Sequence, residues 1–181
     1  MGNSPYCSEH HPDPEKYNNE LIEQFLNTGN DFDSMNFSGM NFSGMKFNNL
    51  SFNFCRFTGA DFSQTEINEC RFLFCLIDSA DFNSAQFKSV RIMSVAAPGS
   101  IFSGSTFTDA DLININFNGI EAVKTVFEES DLFYSRFINA DLRNAVFDDC
   151  NLKRVDFSMA VLNNVKFRDS NPEDAYFIRN R

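Results

Sequence analysis

A large apolar residue returns at almost every fifth position of this chain, from Phe32 to Phe177, without a change of register, and the exceptions are Ala97, Ala122 and Pro172. Of the thirty positions in this series, nineteen are Phe, five are Leu and three are Ile. A period of five matches neither the 3.6-residue period of an α-helix nor the two-residue period of a β-strand. The series is therefore a structural repeat, and it constrains the fold more than any other feature of the sequence.

A second column of mostly small residues lies two positions before each large residue, and the three remaining positions are mainly polar. Segments 60–63, 80–83 and 140–143 read ADFS, ADFN and ADLR. This pattern closely resembles the pentapeptide-repeat family, whose consensus is A(D/N)LXX, over about residues 30–178.

The resemblance implies an all-β fold, a right-handed quadrilateral parallel β-helix in which four pentapeptides make one coil of twenty residues. The large central residue and the small residue two before it point inward, and the other three positions point outward. About seven coils are expected, stacked at roughly 4.8 Å. Ala97 underfills its central position and Pro98 lacks a backbone donor, so we expect any kink in the rod there.

The chain divides into four predicted parts. Asp13 and Pro14 are typical of the start of a helix, and apolar residues follow at helical spacing. We expect this helix to cover one end of the repeat core, as terminal caps of stacked repeats do. The parts are a flexible N-terminal arm (1–12), a capping α-helix (13–29), the β-helix (30–178) and a C-terminal tail (179–181). No helix follows Phe177, so we expect the C-terminal end of the core to be open.

Charge and composition exclude several classes of function. The net charge is −10 and the pI is about 4.6, so direct binding to nucleic acid is not expected, whereas a basic protein partner is compatible. No apolar run is long enough to cross a membrane. Five cysteines without a framework spacing predict a reducing compartment and a cytoplasmic location.

Catalytic and cofactor sites are not predicted. His10 and His11 are adjacent but have no third ligand at metal spacing. The inward small column contains four cysteines, Cys55, Cys70, Cys75 and Cys150, which we interpret as small buried hydrophobes. Because no base stands near a nucleophile, we expect a non-enzymatic protein without a metal or cofactor.

One outward face of the rod is unusually apolar. Residues twenty apart lie one above the other in successive coils, which brings together a set that we call the apolar patch. The apolar patch consists of Phe54, Leu73, Phe74, Leu76, Met93, Ile113, Phe133 and Tyr134. Contiguous exposed apolar surface commonly marks a protein contact, and a homodimer is the simplest such contact. The alternative is that the N-terminal segment folds back over this face.

A second outward face is acidic. We call the acidic strip the set Asp109, Asp111, Glu128, Glu129, Asp131, Asp148, Asp149 and Asp169. One interpretation is a solubilising face. The other comes from the resemblance, because pentapeptide-repeat proteins of the Qnr and MfpA type act on DNA gyrase, and an acidic rod is thought to imitate duplex DNA. The alternative function is therefore a DNA mimic that binds a type II topoisomerase.

Overall fold

The computed structural model describes Ile22 and residues 29–178, and residues 29–178 form an all-β parallel solenoid of about seven coils. The predicted parallel β-helix is confirmed. Its strands are β1 (Asp31–Asp33), β2 (Lys46–Asn48), β3 (Ser51–Asn53), β4 (Glu66–Asn68), β5 (Arg71–Leu73), β6 (Gln86–Lys88), β7 (Arg91–Met93), β8 (Thr106–Thr108), β9 (Asp111–Ile113), β10 (Val126–Glu128), β11 (Val146–Asp148) and β12 (Lys166–Arg168). A short 3-10 turn at Pro172–Asp174 follows β12.

Each coil has four sides, which we number from the side that begins at position 32. The first side carries the five-stranded sheet β1-β3-β5-β7-β9, and the fourth side carries the seven-stranded sheet that runs from β2 to β12. The second and third sides are joined by isolated parallel bridges. Every pairing joins residues twenty apart, as Phe32 with Phe52 and Phe127 with Phe147. Columns of outward side chains therefore run straight along the rod.

Stacked aromatic rings fill the core. Rings one coil apart in the same column lie nearly parallel, with centroids 4.3 Å apart for Phe87 and Phe107 and 5.4 Å apart for Phe147 and Phe167. Rings on adjacent sides meet edge to face, as Phe52 does with Phe57 at an interplanar angle of 82°. Both geometries are favourable for aromatic pairs, and each ring removes a large apolar area from water.

The inward small column satisfies its own polar atoms. The hydroxyl of Ser100 donates to the carbonyl of Ile77 at 2.6 Å, and that of Thr125 donates to Phe102 at 2.7 Å. Cys55, Cys70, Cys75 and Cys150 are buried free thiols, as the sequence predicted. Because buried polar groups need partners, these short side chains fit the core without leaving donors unpaired.

A left-handed residue closes every repeat. We call the outward residue two after each centre the turn position. From 34 to 169 every turn position has a positive φ, held by 22 non-glycine residues and six glycines. On the second and third sides the centre carbonyl accepts from the amide three residues later, as in Phe37 to Met40 at 3.2 Å. A positive φ at the third residue of such a turn is typical of type II.

Asn or Asp before the centre completes these turns. The side chain of Asp61 accepts from the backbone amide of Ser63 at 2.8 Å, and that of Asn41 accepts from Ser43 at the same distance. The amide after the centre is thus bonded by a side chain rather than by the next coil. This contact explains why the repeat favours Asp or Asn at that position.

The ladder is continuous where we expected a kink. The amides of Ala97 and Gly99 donate to the next coil at 2.9 and 3.1 Å. Pro98 occupies the position whose amide has no ladder partner, and Ala96 stands where an Asn or Asp acceptor would otherwise serve it. The missing donor and the missing acceptor compensate for each other. A small internal void of about 10 Å³ lies in this part of the core. Its lining includes Ile77 and Phe117, the central residues of the coils before and after Ala97 in the same column.

The two ends of the β-helix differ in how the core is covered. Ile22 is helical, 2% exposed and part of the core cluster, whereas the N-terminal arm and the rest of the capping helix that we predicted lie outside the described residues. At the other end the side chains of Tyr176, Phe177 and Ile178 are exposed. The described residues there leave the core open.

Candidate interaction surfaces

The apolar patch forms one continuous column on the first side, with flanking groups beside it. Leu73 pairs in register with Met93, and Met93 pairs with Ile113, at the last positions of β5, β7 and β9. Phe133 follows one coil later, beyond the bridge that joins Asp111 to Asp131. All four apolar side chains are half-buried. Apolar groups therefore line the outer surface of the sheet across four coils.

Three aromatic members of the patch occupy turn positions. Phe54, Phe74 and Tyr134 are 61%, 52% and 52% exposed, and their φ angles are 54°, 55° and 62°. The rings of Phe54 and Phe74 stack with centroids 5.2 Å apart. A bulky residue in the left-handed region is unfavourable, and glycine or asparagine is the usual choice. These side chains are neither buried nor conformationally favoured.

The structure does not bring every member of the patch into contact. Ser94 and Asn114 occupy the two turn positions between Phe74 and Tyr134, so Tyr134 forms a separate group with the ring of Phe133, 6.1 Å away. Leu76 lies round the corner on the second side, bridged to Arg56 and Ala96. The patch is thus an apolar column with an aromatic group at each end.

The acidic strip follows the fourth side and its corner with the first. Thr108, Glu128, Asp148 and Arg168 stand in register at the last positions of β8, β10, β11 and β12. The exposed turn positions beside them hold Asp109, Glu129, Asp149 and Asp169, one for each coil. Within the described residues, none of these four turn-position carboxylates forms an ion pair.

Two other members of the strip are paired with arginine. Asp111 pairs with Arg91 at 3.0 Å, and Asp148 pairs with Arg168. Asp131 is also part of a turn, because its Oδ1 accepts from the amide of Phe133 at 2.9 Å. Among the described residues, six of the eight carboxylates of the strip thus form no ion pair, and four of these six lie at the turn positions of the fourth side.

Sequence reasoning missed an ordered charge column beside the apolar one. At the position before the centre on the first side, Arg71, Arg91, Asp111 and Asp131 follow one another in register. The twenty-residue spacing is enough to predict this column from the sequence. Finding it requires that basic and acidic residues be considered together in one column.

Among the described residues, the groups with shifted pKa values are buried thiols and members of surface ion pairs. Burial raises the pKa of the Cys150 thiol to about 12, and burial also raises the pKa of Cys70. A hydrogen bond from Arg143 lowers the pKa of the half-buried Asp141. Across residue 22 and residues 29–178, no group of three or more His, Cys, Asp or Glu could hold a metal ion. None of the helices in these residues is long and apolar enough to cross a lipid bilayer.

A depression marks the open end of the core. It has a volume of about 450 Å³ and is lined by side chains that include Phe157, Leu162, Phe177 and Ile178. The ring of Phe177 stacks on that of Phe157 at 5.2 Å, and no further described coil lies above Leu162 or Phe177.

Comparison with known proteins agrees with the repeat. A family model described as "Pentapeptide repeats (8 copies)" matches residues 31–64 and 55–92, and one described as "Pentapeptide repeat region" matches residues 100–177. No curated protein sequence matches this chain.

Several solved structures are similar to parts of it. A trypsin-treated form of QnrB1, a plasmid-mediated fluoroquinolone resistance protein, shares 24% identity over 76% of this chain and 78% of its own, with a TM-score of 0.42. HetL from the cyanobacterium Nostoc, involved in regulation of heterocyst differentiation, shares 12% identity over 87% and 93%, with a TM-score of 0.27. A protein from the Arabidopsis thaliana thylakoid lumen shares 17% identity over 85% and 75%, with a TM-score of 0.22.

The family assignment rests on the family models and on the repeat, and not on these structural likenesses. The models together match the repeat region on both sides of residue 96, where the register of five continues unbroken. This chain belongs to the pentapeptide-repeat family.

Proposed function

We propose that this protein is a non-enzymatic protein–protein interaction module that binds a protein partner through the apolar patch. We place it in a reducing compartment, the cytoplasm, because its described cysteines are buried free thiols. The observation that carries the proposal is the set of exposed aromatic side chains at left-handed turn positions.

Folding alone does not account for those aromatics. The left-handed conformation costs on the order of 1–2 kcal/mol for a residue with a side chain, and the exposed rings of Phe54 and Phe74 recover little of that cost by burial. Polar residues fill most equivalent positions of the rod. Aromatic residues are enriched among the residues that contribute most to binding at protein interfaces. A contact surface explains their presence.

Site-specific photo-crosslinking tests this proposal in cells that make the full chain. Replacing Phe74 or Tyr134 by p-benzoylphenylalanine keeps an aromatic ring at the same turn position. We expect irradiation to produce a discrete adduct with a protein at both positions. The mass of the adduct distinguishes a second copy of this chain from another protein.

The matched control is the same replacement at Asn144. This residue also occupies an exposed turn position with a φ of 60°, but it lies on the third side. Absence of any adduct at positions 74 and 134, or equal yields at position 144, would overturn the proposed function.

A second candidate is mimicry of DNA toward a type II topoisomerase, and the acidic strip favours it. Its eight carboxylates extend over four coils, or roughly 19 Å at the spacing of β-strands, which gives about one carboxylate per 2.4 Å. Duplex DNA carries one charge per roughly 1.7 Å of helix axis. Two of the eight are paired with arginine, so the net density is lower than that of DNA.

Supercoiling by purified gyrase tests the second candidate. If the strip imitates DNA, the intact protein inhibits supercoiling, and the double variant Glu129→Lys with Asp149→Lys loses this effect. Phe74→Asp leaves the strip unchanged and should inhibit like the intact chain. Lack of inhibition by the intact protein would exclude this function.

A further inference from the structure

We propose that the apolar patch binds a second copy of this chain, antiparallel to the first, about a two-fold axis between β7 and β9. This axis lies in the plane of the contact and runs along the strands. The inference rests on the proposed function of the patch and names its partner.

The charge column carries the argument. Rotation about this axis places each residue opposite its own column in the second copy, with the order of coils reversed. Arg91 then faces Asp111 of the second copy, and Arg71 faces Asp131 of the second copy. Because the column reads Arg, Arg, Asp, Asp, every facing pair has opposite charges. Such a surface is self-complementary, as a two-fold interface requires.

The apolar column has the same centre of symmetry. Its four members span the same coils, so the axis that pairs the charges also pairs apolar with apolar side chains. The facing pairs are Leu73 with Phe133, Met93 with Ile113, and Phe74 with Tyr134. Two columns that differ in chemistry thus select one axis independently.

Other arrangements of two copies do not satisfy both columns. If the axis moves by half a coil, it passes through β7 or β9 and places Arg91 opposite itself or Asp111 opposite itself. If the two rods run parallel about an axis along the rod, the charged column lies opposite the apolar one. Arg91 would then be desolvated against Met93 without a partner charge, which is costly.

The ion pairs within one copy are compatible with this contact. Arg91 and Asp111 already form an exposed pair within one copy, and a second copy would extend it to four alternating charges. Arg71 is exposed and forms no ion pair with any other described residue. Asp131 of the second copy would supply the partner that Arg71 lacks.

Charge exchange between two chains tests the arrangement. Each of Arg71→Asp and Asp131→Arg places like charges opposite each other in the homodimer, and we expect at least tenfold weaker self-association. In an equimolar mixture both contacts become complementary, so the heterodimer should form. Sedimentation equilibrium from about 1 to about 200 μM measures all three samples and the intact chain.

Several outcomes would overturn the antiparallel dimer. These are an intact chain that stays monomeric over this range, single variants that dimerise like the intact chain, or a mixture that stays monomeric. An adduct of Phe74 with a different protein in the photo-crosslinking experiment, together with a monomeric intact chain, would retain the proposed function and exclude this inference.

A second measurement covers the case in which Asp131→Arg does not fold, since Asp131 accepts from the amide of Phe133. Arg71→Cys and Asp131→Cys chains, both with Cys7→Ser, are mixed with a short bismaleimide crosslinker. We expect a crosslinked dimer in the mixture only. Within either pure sample the equivalent cysteines would lie three coils apart, about 14 Å, beyond the reach of the crosslinker. Absence of the mixed product would contradict the proposal.

Discussion

At the scale of single residues, the turn position determines how each repeat closes. Its backbone is left-handed in every repeat from 34 to 169, whichever residue occupies it. The surrounding ladder therefore overrides local preference, and residues such as Phe74 adopt a conformation that they would avoid in a free chain. The cost is conformational, since an added Cβ at Gly119 would meet no other atom within 4 Å.

Replacing Gly119 measures this cost directly. With a φ of 65° and open space around the position, Gly119→Ala should lower the free energy of unfolding by about 1 kcal/mol through backbone strain alone. Gly119→Asn should lose less, because Asn tolerates the left-handed region. Chemical denaturation of the three proteins checks the order. An alanine variant as stable as the intact chain would show that the position carries no strain.

The hydrogen-bonded ladder is continuous where a kink was expected, and the reason lies in the role of a single amide. The kink near Pro98 was expected from the underfilled centre at Ala97 and from a lost backbone donor, and the second reason assumed that every amide joins the ladder. The structure shows that the amide after the centre bonds the preceding Asn or Asp side chain instead, as Ser63 bonds Asp61. Counting donors by residue type could not reveal this, because the role of an amide depends on its place in the turn.

At the scale of one side of the rod, like charges stack along the fourth side. The carboxylates of Asp109, Glu129 and Asp149 occupy turn positions in consecutive coils without an ion pair among the described residues. Their mutual repulsion opposes folding, although solvent and salt screen it. A surface that weakens its own fold in this way serves solubility or binding.

Reversing the middle charge should stabilise the fold. Glu129→Lys replaces two repulsive neighbours by two attractive ones and should raise the free energy of unfolding by about 0.5 kcal/mol at low salt. The gain should shrink as the salt concentration rises. Glu129→Gln is the control, because it removes repulsion without adding attraction. Thermal unfolding at two salt concentrations checks both variants, and a lower midpoint for Glu129→Lys would show that the strip is not repulsive.

The period of five predicted which residues share a column, but it did not predict the contacts that their side chains make. Leu73, Met93 and Ile113 were placed together because residues twenty apart share a column, and they do stand in register. The pairing of Arg91 with Asp111 depends on side-chain conformation, which spacing does not specify. The exposure of the aromatics was likewise predicted only as an outward direction, whereas their left-handed backbone required the structure.

At the scale of the whole molecule, burial changes along the rod. Phe127 is 1% exposed, with rings stacked on both sides at 5.0 and 4.7 Å. Phe167, two coils further in the same column, is half-buried near the open end. Because each coil contacts only its neighbours, local stability should follow this gradient.

Two substitutions in this column compare the middle with the end. Phe127→Ala should cost about 3–5 kcal/mol, since it leaves a cavity between two stacked rings. Phe167→Ala should cost clearly less, because that ring is already in partial contact with water. Denaturant unfolding of the two variants measures the difference. Equal losses would indicate that the described end is as tightly packed as the centre.

The twenty-residue register also governs which changes of length this chain can tolerate. An in-frame duplication or deletion of one whole coil returns every later residue to its own side, so that both surfaces survive in a longer or shorter rod. Gain or loss of a single pentapeptide keeps the core intact but rotates all later repeats by a quarter turn. The apolar column would then be split between two sides, a change of surface with almost no change of fold.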